Sequence, residues 1–260
     1  MDIKSFGAPS YLPMEIWNMK ELKHLQIVGS NLPDPCSDTL LPNLRTLLDD
    51  GPHSCTKGVF EGIPNLEKLG IRIELVPDAS ESFGCFDHIS LLENLKSLKC
   101  VIVNPIFGPE VVAPPPISIS LSRLQKLSLS GFGYPWDVMR MIASLPNLKV
   151  LKLRCYAFRR SNWQIEDNEF PKLKFLLIED TDMVQCTVGR FGSLPGYIYI
   201  YLKSCYKLEK IRLCNHFTKH ELVDCNPLAV ACAQEMKDEG TVMSVNVHSS
   251  LDDQKLGSKG

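Results

Sequence analysis

Residues 145–154 read Leu-Pro-Asn-Leu-Lys-Val-Leu-Lys-Leu-Arg. Leu148, Leu151 and Leu153 sit there at Leu-x-x-Leu-x-Leu spacing. Leu151 and Leu153 are two residues apart, so in a short strand they share one face, and Lys152 and Arg154 take the other. The proline ahead of them fixes φ and lacks an N–H, which suits the start of a strand. A strand this short cannot bury its own apolar face and needs copies of itself alongside.

Those copies exist. Leu22/Leu25/Ile27, Leu66/Leu69/Ile71, Leu124/Leu127/Leu129 and Leu173/Leu176/Ile178 repeat the spacing. Leu44/Leu47 and Leu95/Leu98 repeat it with Asp49 and Cys100 in the last slot, and Tyr197/Ile200/Leu202 with an aromatic first anchor. First anchors at 22, 44, 66, 95, 124, 148, 173 and 197 are separated by 22 to 29 residues, the period of leucine-rich repeats. The pattern predicts an α/β leucine-rich-repeat solenoid, a horseshoe with a parallel strand ladder on its concave face and irregular or helical convex segments. Each Leu or Ile buried in such a ladder contributes roughly 1.5–3 kcal/mol.

The Pro-Asn-Leu or Pro-Lys-Leu turn recurs at 41–44, 63–66, 145–148 and 170–173. Between strands, Asp137 reads as the N-cap of a helix with Val138, Met141, Ile142 and Leu145 on one face, stopped by Pro146. The two long repeats hold loops over 72–88 and 104–120, the second carrying Pro114-Pro115-Pro116. After Leu202 the period degrades. Asn226-Pro227 reads as an N-cap with proline at the first helical position. Leu228, Ala231, Cys232 and Met236 follow as one helical face, Gly240 as the stop, and Met243, Val245 and Val247 as an alternating strand. The expected organisation is eight to nine repeats over 1–225, a capping helix and strand over 226–248, and a disordered tail over 249–260. Leu12 to Met19 already read as the convex part of a repeat, so the chain is expected to begin within an array.

Composition narrows the function. The 260 residues carry a net charge of −2 and a pI near 6.3, with 44% hydrophobic residues. Nothing global attracts nucleic acid or an anionic membrane. No run approaches the roughly 20 apolar residues of a transmembrane helix, and the first residues lack the apolar core of a secretory signal. The ten cysteines are therefore expected to be free thiols of a cytoplasmic protein. Nucleophile-elbow and zincin motifs are absent from the sequence, and neither an enzyme nor a cofactor is expected.

Residues 12–25, Leu-Pro-Met-Glu-Ile-Trp-Asn-Met-Lys-Glu-Leu-Lys-His-Leu, resemble plant intracellular immune receptors that join a nucleotide-binding domain to leucine-rich repeats. The stretch from Glu221 to Lys237, with Val245 to Ser250, is similar to the C-terminus of their coiled-coil class, above all the late-blight-resistance group of nightshades. The resemblance implies a module that senses pathogen effectors or a guarded host protein and contacts a nucleotide-binding switch. The phosphate loop of such a switch, Gly-x-x-x-x-Gly-Lys-Ser/Thr, does not occur here, so no nucleotide-binding residue is carried over.

The outward positions of the strands are the candidate protein-binding residues: His24, Lys68, Arg72, Lys99, Lys126, Lys152, Arg154 and Lys203, against Asp50 and Glu179. They predict a positive strip that docks an acidic partner; as a plain solvated face they would only keep the sheet soluble. Tyr199 and Tyr201 join the candidates, because alternating Tyr197, Tyr199 and Tyr201 share one side and tyrosine is enriched at interfaces. Trp17 is expected in the core and Trp163, in a polar stretch, at the surface, while Trp136 falls in a convex segment. Cys155 and Cys205 are expected as buried thiols just past strand anchors. Cys214, His216, His220 and Cys225 are zinc-compatible in type but not in spacing, and no metal site is assigned. A truncated or decayed paralogue acting as a decoy, and the substrate-recruiting repeats of a ubiquitin-ligase adaptor, are the competing readings.

Overall fold

The computed structural model describes residues 9–36, 39–75, 84, 86–105, 121–166, 169–188, 196–213 and 215–249, with Asn215 and His216 as backbone only. Most of the expected loops over 72–88 and 104–120, the triple proline, Cys214 and nearly all of the 249–260 tail lie outside the described residues. The chain forms two compact units, residues 1–124 and 125–260. Each is mixed α/β, dominated by parallel strands with few helices.

In the first unit β1 (His24–Gln26), β2 (Thr46–Asp50), β3 (Lys68–Ile73) and β4 (Ser97–Ile102) pair in sequence order, all parallel. Helix α1 (Lys57–Gly62) connects β2 to β3, capped by the Thr56 hydroxyl, which accepts from the Val59 N–H at 3.1 Å. The register aligns Leu25, Leu47, Leu69 and Leu98. The last three are buried, as are Leu44, Leu66 and Leu95 one turn before them.

The second unit repeats the plan with a second layer. Its main sheet runs β5 (Lys126–Ser130), β7 (Val150–Arg154), β10 (Phe175–Glu179), β12 (Ile198–Lys203), β14 (Asn215–Val223) and β15 (Val242–His248), again all parallel. Between them lie β6 (Tyr134–Pro135), α2 (Met139–Ala143), β8 (Phe158–Arg159), β9 (Asn162–Ile165), β11 (Gln185–Val188), β13 (Lys210–Arg212) and α3 (Pro227–Asp238). Strands β9, β11 and β13 form a parallel three-stranded layer, and β6 pairs with β8. Two apolar rows run through the main sheet: Leu127, Leu151, Leu176 and Ile200, and Leu129, Leu153, Ile178, Leu202 and Leu222. All are buried.

The recurrent turn does more than start strands. Asn43 donates its side-chain N–H to the Lys20 carbonyl at 3.0 Å, Asn65 to Pro42 at 3.0 Å and Asn94 to Pro64 at 3.2 Å. Each asparagine ties its own turn to the preceding one and satisfies a backbone carbonyl that would otherwise lack a partner. At the other end of β5, β7, β10, β12 and β14 the backbone enters the left-handed region, at Gly131, Cys155, Asp180, Ser204 and Asp224. Each of these donates its N–H to the last carbonyl of the next strand, from Gly131 to Arg154 through Asp224 to His248, at 2.9–3.2 Å. The ladder is thereby carried past the strand ends, and the chain turns away at each rung in the same manner.

Several expectations need correction. Strand β2 holds one extra residue: Asp49 has φ +54, and the register shifts from Leu47 opposite Leu69 to Asp50 opposite Ile71. This bulge turns Asp50 inward, 2% exposed, and leaves Asp49 outside, accepting from Gln26 at 2.6 Å. Asp50 is therefore no part of the outer strip, and Asp49 no anchor. Asp137 caps no helix; it lies inside a 3-10 turn (Trp136–Val138) that runs into α2. With the start moved, Met139, Ile142, Ala143 and Leu145 are buried and Met141 is exposed. Trp163 is buried, not exposed, because β9 places it under Trp136 with ring centroids 4.8 Å apart. Trp17 is in the core as expected, its indole N–H donating to the Pro33 carbonyl at 3.0 Å.

Tyr197 is not an anchor. Strand β12 begins one residue later, so Ile198, Ile200 and Leu202 alternate inward and Tyr197 is half exposed. Cys205 is buried as expected, but Cys155 is exposed, since its left-handed φ of +47 turns the side chain outward. Helix α3 starts where expected, with Asn226 accepting from the Leu228 N–H at 2.9 Å, and closes on Gly240 with φ +70. Its buried face is Ala229, Ala233 and Met236, with Leu228 and Ala231 outside. Small residues on that face let α3 sit closely on β13 and β15. No helix among the described residues is long and apolar enough to cross a membrane.

Candidate protein-binding face

In a sheet where every second position is buried, the positions between build the surface. The register of the second unit orders its outer side chains into three rows. The first runs Lys126, Val150, Phe175, Tyr199, Lys219 and Ser244. The second runs Ser128, Lys152, Leu177, Tyr201, Glu221 and Asn246. The third runs Ser130, Arg154, Glu179, Lys203, Val223 and His248.

The middle of these rows is apolar. Phe175 and Tyr199 stack with centroids 5.7 Å apart and planes 16° from parallel. Leu177, beside them, is 7% exposed although it stands on the outer face. Its long neighbours, Lys152 and Tyr201 in register on either side, cover it. Lys152 also reaches over the Phe175 ring, its Nζ 5.7 Å from the centroid, a contact that keeps the charge wet while the stem covers apolar surface.

Charges surround this centre. Glu179 accepts from Lys203 Nζ at 2.8 Å and from Arg154 Nε at 2.9 Å. Partial burial pushes the Glu179 carboxyl up, but the Lys203 hydrogen bond and the two positive charges outweigh it and hold it below the usual carboxylate range. The same contact raises Lys203 above the ordinary lysine value. Tyr199 donates its hydroxyl to Glu221, whose other oxygen lies 3.8 Å from His248 Nε2. Lys219 stands over the Tyr197 ring at 5.7 Å. Lys126, Lys152, Arg154, Lys203 and Lys219 thus rim the centre against Glu179 and Glu221.

Of the residues expected to bind, Lys126, Lys152, Arg154, Tyr199, Tyr201 and Lys203 come together on this face. His24, Lys68, Arg72 and Lys99 lie on the outer side of the first unit. His24, Lys68 and Lys99 are exposed, and Arg72 lies 3.8 Å from Glu74. The uniform positive strip is thus interrupted: Arg154 and Lys203 share one carboxylate, and Arg72 has a second one nearby.

Sequence reasoning missed Phe175, Leu177, Lys219 and Glu221. Leu177 was hidden between two inward anchors in the run Phe-Leu-Leu-Ile, where apolar character alone does not separate the two faces. Lys219 and Glu221 were lost because the Leu-x-x-Leu spacing lapses before β14. Strict two-residue alternation carried back from Leu222 finds both. Among the described residues no group of three or more His, Cys, Asp or Glu side chains is arranged to hold a metal ion.

The chain is similar to late blight resistance protein homologs of Solanum demissum. One is 25% identical over 241 residues, covering 87% of this chain and 18% of the relative. A second is 27% identical over 254 residues, 92% of this chain and 31% of the relative. A third is 25% identical over 260 residues, 94% of this chain and 19% of the relative. The chain spans less than a third of the length of these relatives, and the likeness seen at its two ends holds over most of it. No family profile matches the chain.

Proposed function

We propose that this chain is a leucine-rich-repeat solenoid segment that recognises proteins in plant disease resistance, and that it binds rather than catalyses. The outer face of the second unit is the contact surface. The observation that carries this reading is Leu177, nearly buried on the solvent side among Phe175, Tyr199 and Tyr201 and rimmed by charge. A desolvated aromatic and aliphatic centre within a polar rim is the anatomy of a binding hot spot. The excess of lysine and arginine on the rim favours an acidic partner. The names of the relatives support the biological setting. In that setting the partner is a pathogen effector, a guarded host protein or the nucleotide-binding domain of a receptor of this kind, met in the cytoplasm.

The test compares proteins captured from pathogen-challenged nightshade leaf by the native chain and by a Tyr199→Ala/Tyr201→Ala variant of equal thermal stability. The expected result is a protein that the native face retains and the variant loses by at least about tenfold, the loss of one or two hot-spot side chains. Identical capture by both sinks the reading.

A further inference from the structure

The outermost strand of the second unit carries a pattern that the face above does not use. Strand β15 pairs with β14 on one side and, among the described residues, ends the sheet order on the other. Exposed edges of this kind are usually blunted by lysine, proline or a bulge on the open side. The sequence of β15, Val-Met-Ser-Val-Asn-Val-His, holds no proline, lysine, arginine or carboxylate. Of its inward-facing side chains Val245 is covered, at 8% exposed, but the two that flank it are not. Met243 is 51% and Val247 49% exposed, whereas Thr218, His220 and Leu222 on the inner face of β14 are each 0% exposed.

The orientation of the backbone follows from one hydrogen bond. Asp224 donates to the His248 carbonyl at 3.2 Å, so His248 turns its polar groups toward β14. Strand alternation then turns Ser244 and Asn246 the same way. It leaves the N–H and C=O of Met243, Val245 and Val247 pointing to the open edge.

We infer that β15 is a self-complementary interface through which two copies of this chain pair edge to edge, antiparallel, about a two-fold axis at Val245. Such pairing sets Met243 of one copy opposite Val247 of the other and Val245 opposite its own mate, all three on the apolar side and all with backbone groups turned to that edge. These form the hydrogen-bonded pairs of an antiparallel ladder, each exchanging both of its bonds. Ser244 falls opposite Asn246 and Val242 opposite His248. Over the five residues from Met243 to Val247 apolar meets apolar and polar meets polar, only the outer Val242–His248 pair is mixed, and no like charges are opposed. The parallel sheet of each copy is thus joined to the other through one antiparallel strand pair, and the two-fold operator closes the interface after one partner.

The interface rests on one strand and its flanks, so the dimer is weak and concentration-dependent. Sedimentation of the full chain over a wide concentration range is the test. The expected result is a reversible monomer–dimer equilibrium. Val247→Pro removes an N–H that faces the open edge and none that faces β14, and it is expected to weaken the dimer at least about tenfold, with the melting temperature unchanged. Met243→Lys, which places a charge on the open edge, is expected to do the same without touching the backbone. A monomer at every concentration overturns the inference, and so does a dimer that both variants leave intact.

Discussion

Glu179 on β10 and Lys203 on β12 stand opposite each other in register and close to 2.8 Å, while the second oxygen of Glu179 takes Arg154 from the strand on the other side. One carboxylate thus joins three adjacent strands. Half-exposed ion pairs contribute roughly 0.2–1 kcal/mol each. Replacing Glu179 by Gln is expected to cost the second unit about 1 kcal/mol at pH 7. The carboxyl titrates below its ordinary range in the folded chain, so its contribution is present above the unfolded pKa and is lost as pH falls through the depressed folded value. Urea midpoints of native protein and Glu179→Gln should differ at pH 7 and converge in strong acid. A gap that persists in strong acid would show that shape, not charge, matters there.

Asp50 should behave in the opposite sense. Burial lifts its pKa from 3.8 to about 6, against the lowering effect of bonds from the Ser54 hydroxyl and the Leu32 and Gly51 amides. An acid with a raised folded pKa binds its proton more tightly when folded. The first unit is therefore expected to gain stability as pH falls through about 6, by at most about 3 kcal/mol once below the unfolded pKa. Asp50→Asn keeps an acceptor oxygen and removes the ionisation, so it should flatten this dependence. Hydrogen exchange of β2 and β3 amides at pH 7 and 5 measures it, and equal pH slopes in both proteins would remove the assignment.

These two carboxylates also show how far the sequence can be read. The anchor spacing located the strands of the main sheet through β12, because a leucine every second residue needs a buried face and only a parallel stack supplies it. Spacing reads the period and not the exceptions. The bulge at Asp49 adds one residue and moves Asp50 from the surface to the core, and a period read from first anchors does not register it. The second layer of β9, β11 and β13 was illegible for a different reason. Trp163, Cys186 and Ile211 are buried there in strands of only three or four residues whose neighbours are polar. Their burial comes from partners distant in sequence, Trp136 for Trp163 and helix α3 beside β13, which local sequence does not encode. On the candidate face the lysines were legible as outward positions. The apolar centre was not, since Leu177 depends on the side chains beside it for its burial.

His220 marks the C-terminal rungs for acid sensitivity. It is fully buried on β14, Nε2 lies 3.3 Å from the Leu213 carbonyl, and Nδ1 has no partner among the described residues. Burial depresses its pKa to about 4, with the Leu213 bond opposing the shift. A base with a depressed folded pKa stabilises the fold above its unfolded pKa of 6.5, and that stability is lost as pH falls from there toward 4. Amides of β14 and β15 should therefore exchange faster at pH 5 than at pH 7 once intrinsic rates are corrected. His220→Leu, which leaves no ring nitrogen unpaired, should abolish the difference. Unchanged acid sensitivity in that variant would place its origin elsewhere.

The aromatic stack under the second unit gives the largest single-residue effect. Phe132, Tyr134, Phe158, Trp136, Trp163 and Phe170 are all buried and linked ring to ring, with Trp136 and Trp163 8° from parallel. Trp163 sits at the middle of the Trp136–Phe170 segment, and its removal leaves a void that backbone held in β9 cannot close. Truncation of a buried tryptophan typically costs about 3–5 kcal/mol. Trp163→Ala is expected to fall in that range, and Trp163→Phe well below it because stacking on Trp136 is partly kept. Denaturant titration followed by tryptophan fluorescence separates the two. If Trp163→Ala cost under about 1 kcal/mol, the indole would have to be solvent-facing, as its polar neighbours in the sequence suggest, and the second layer of the unit would be wrong.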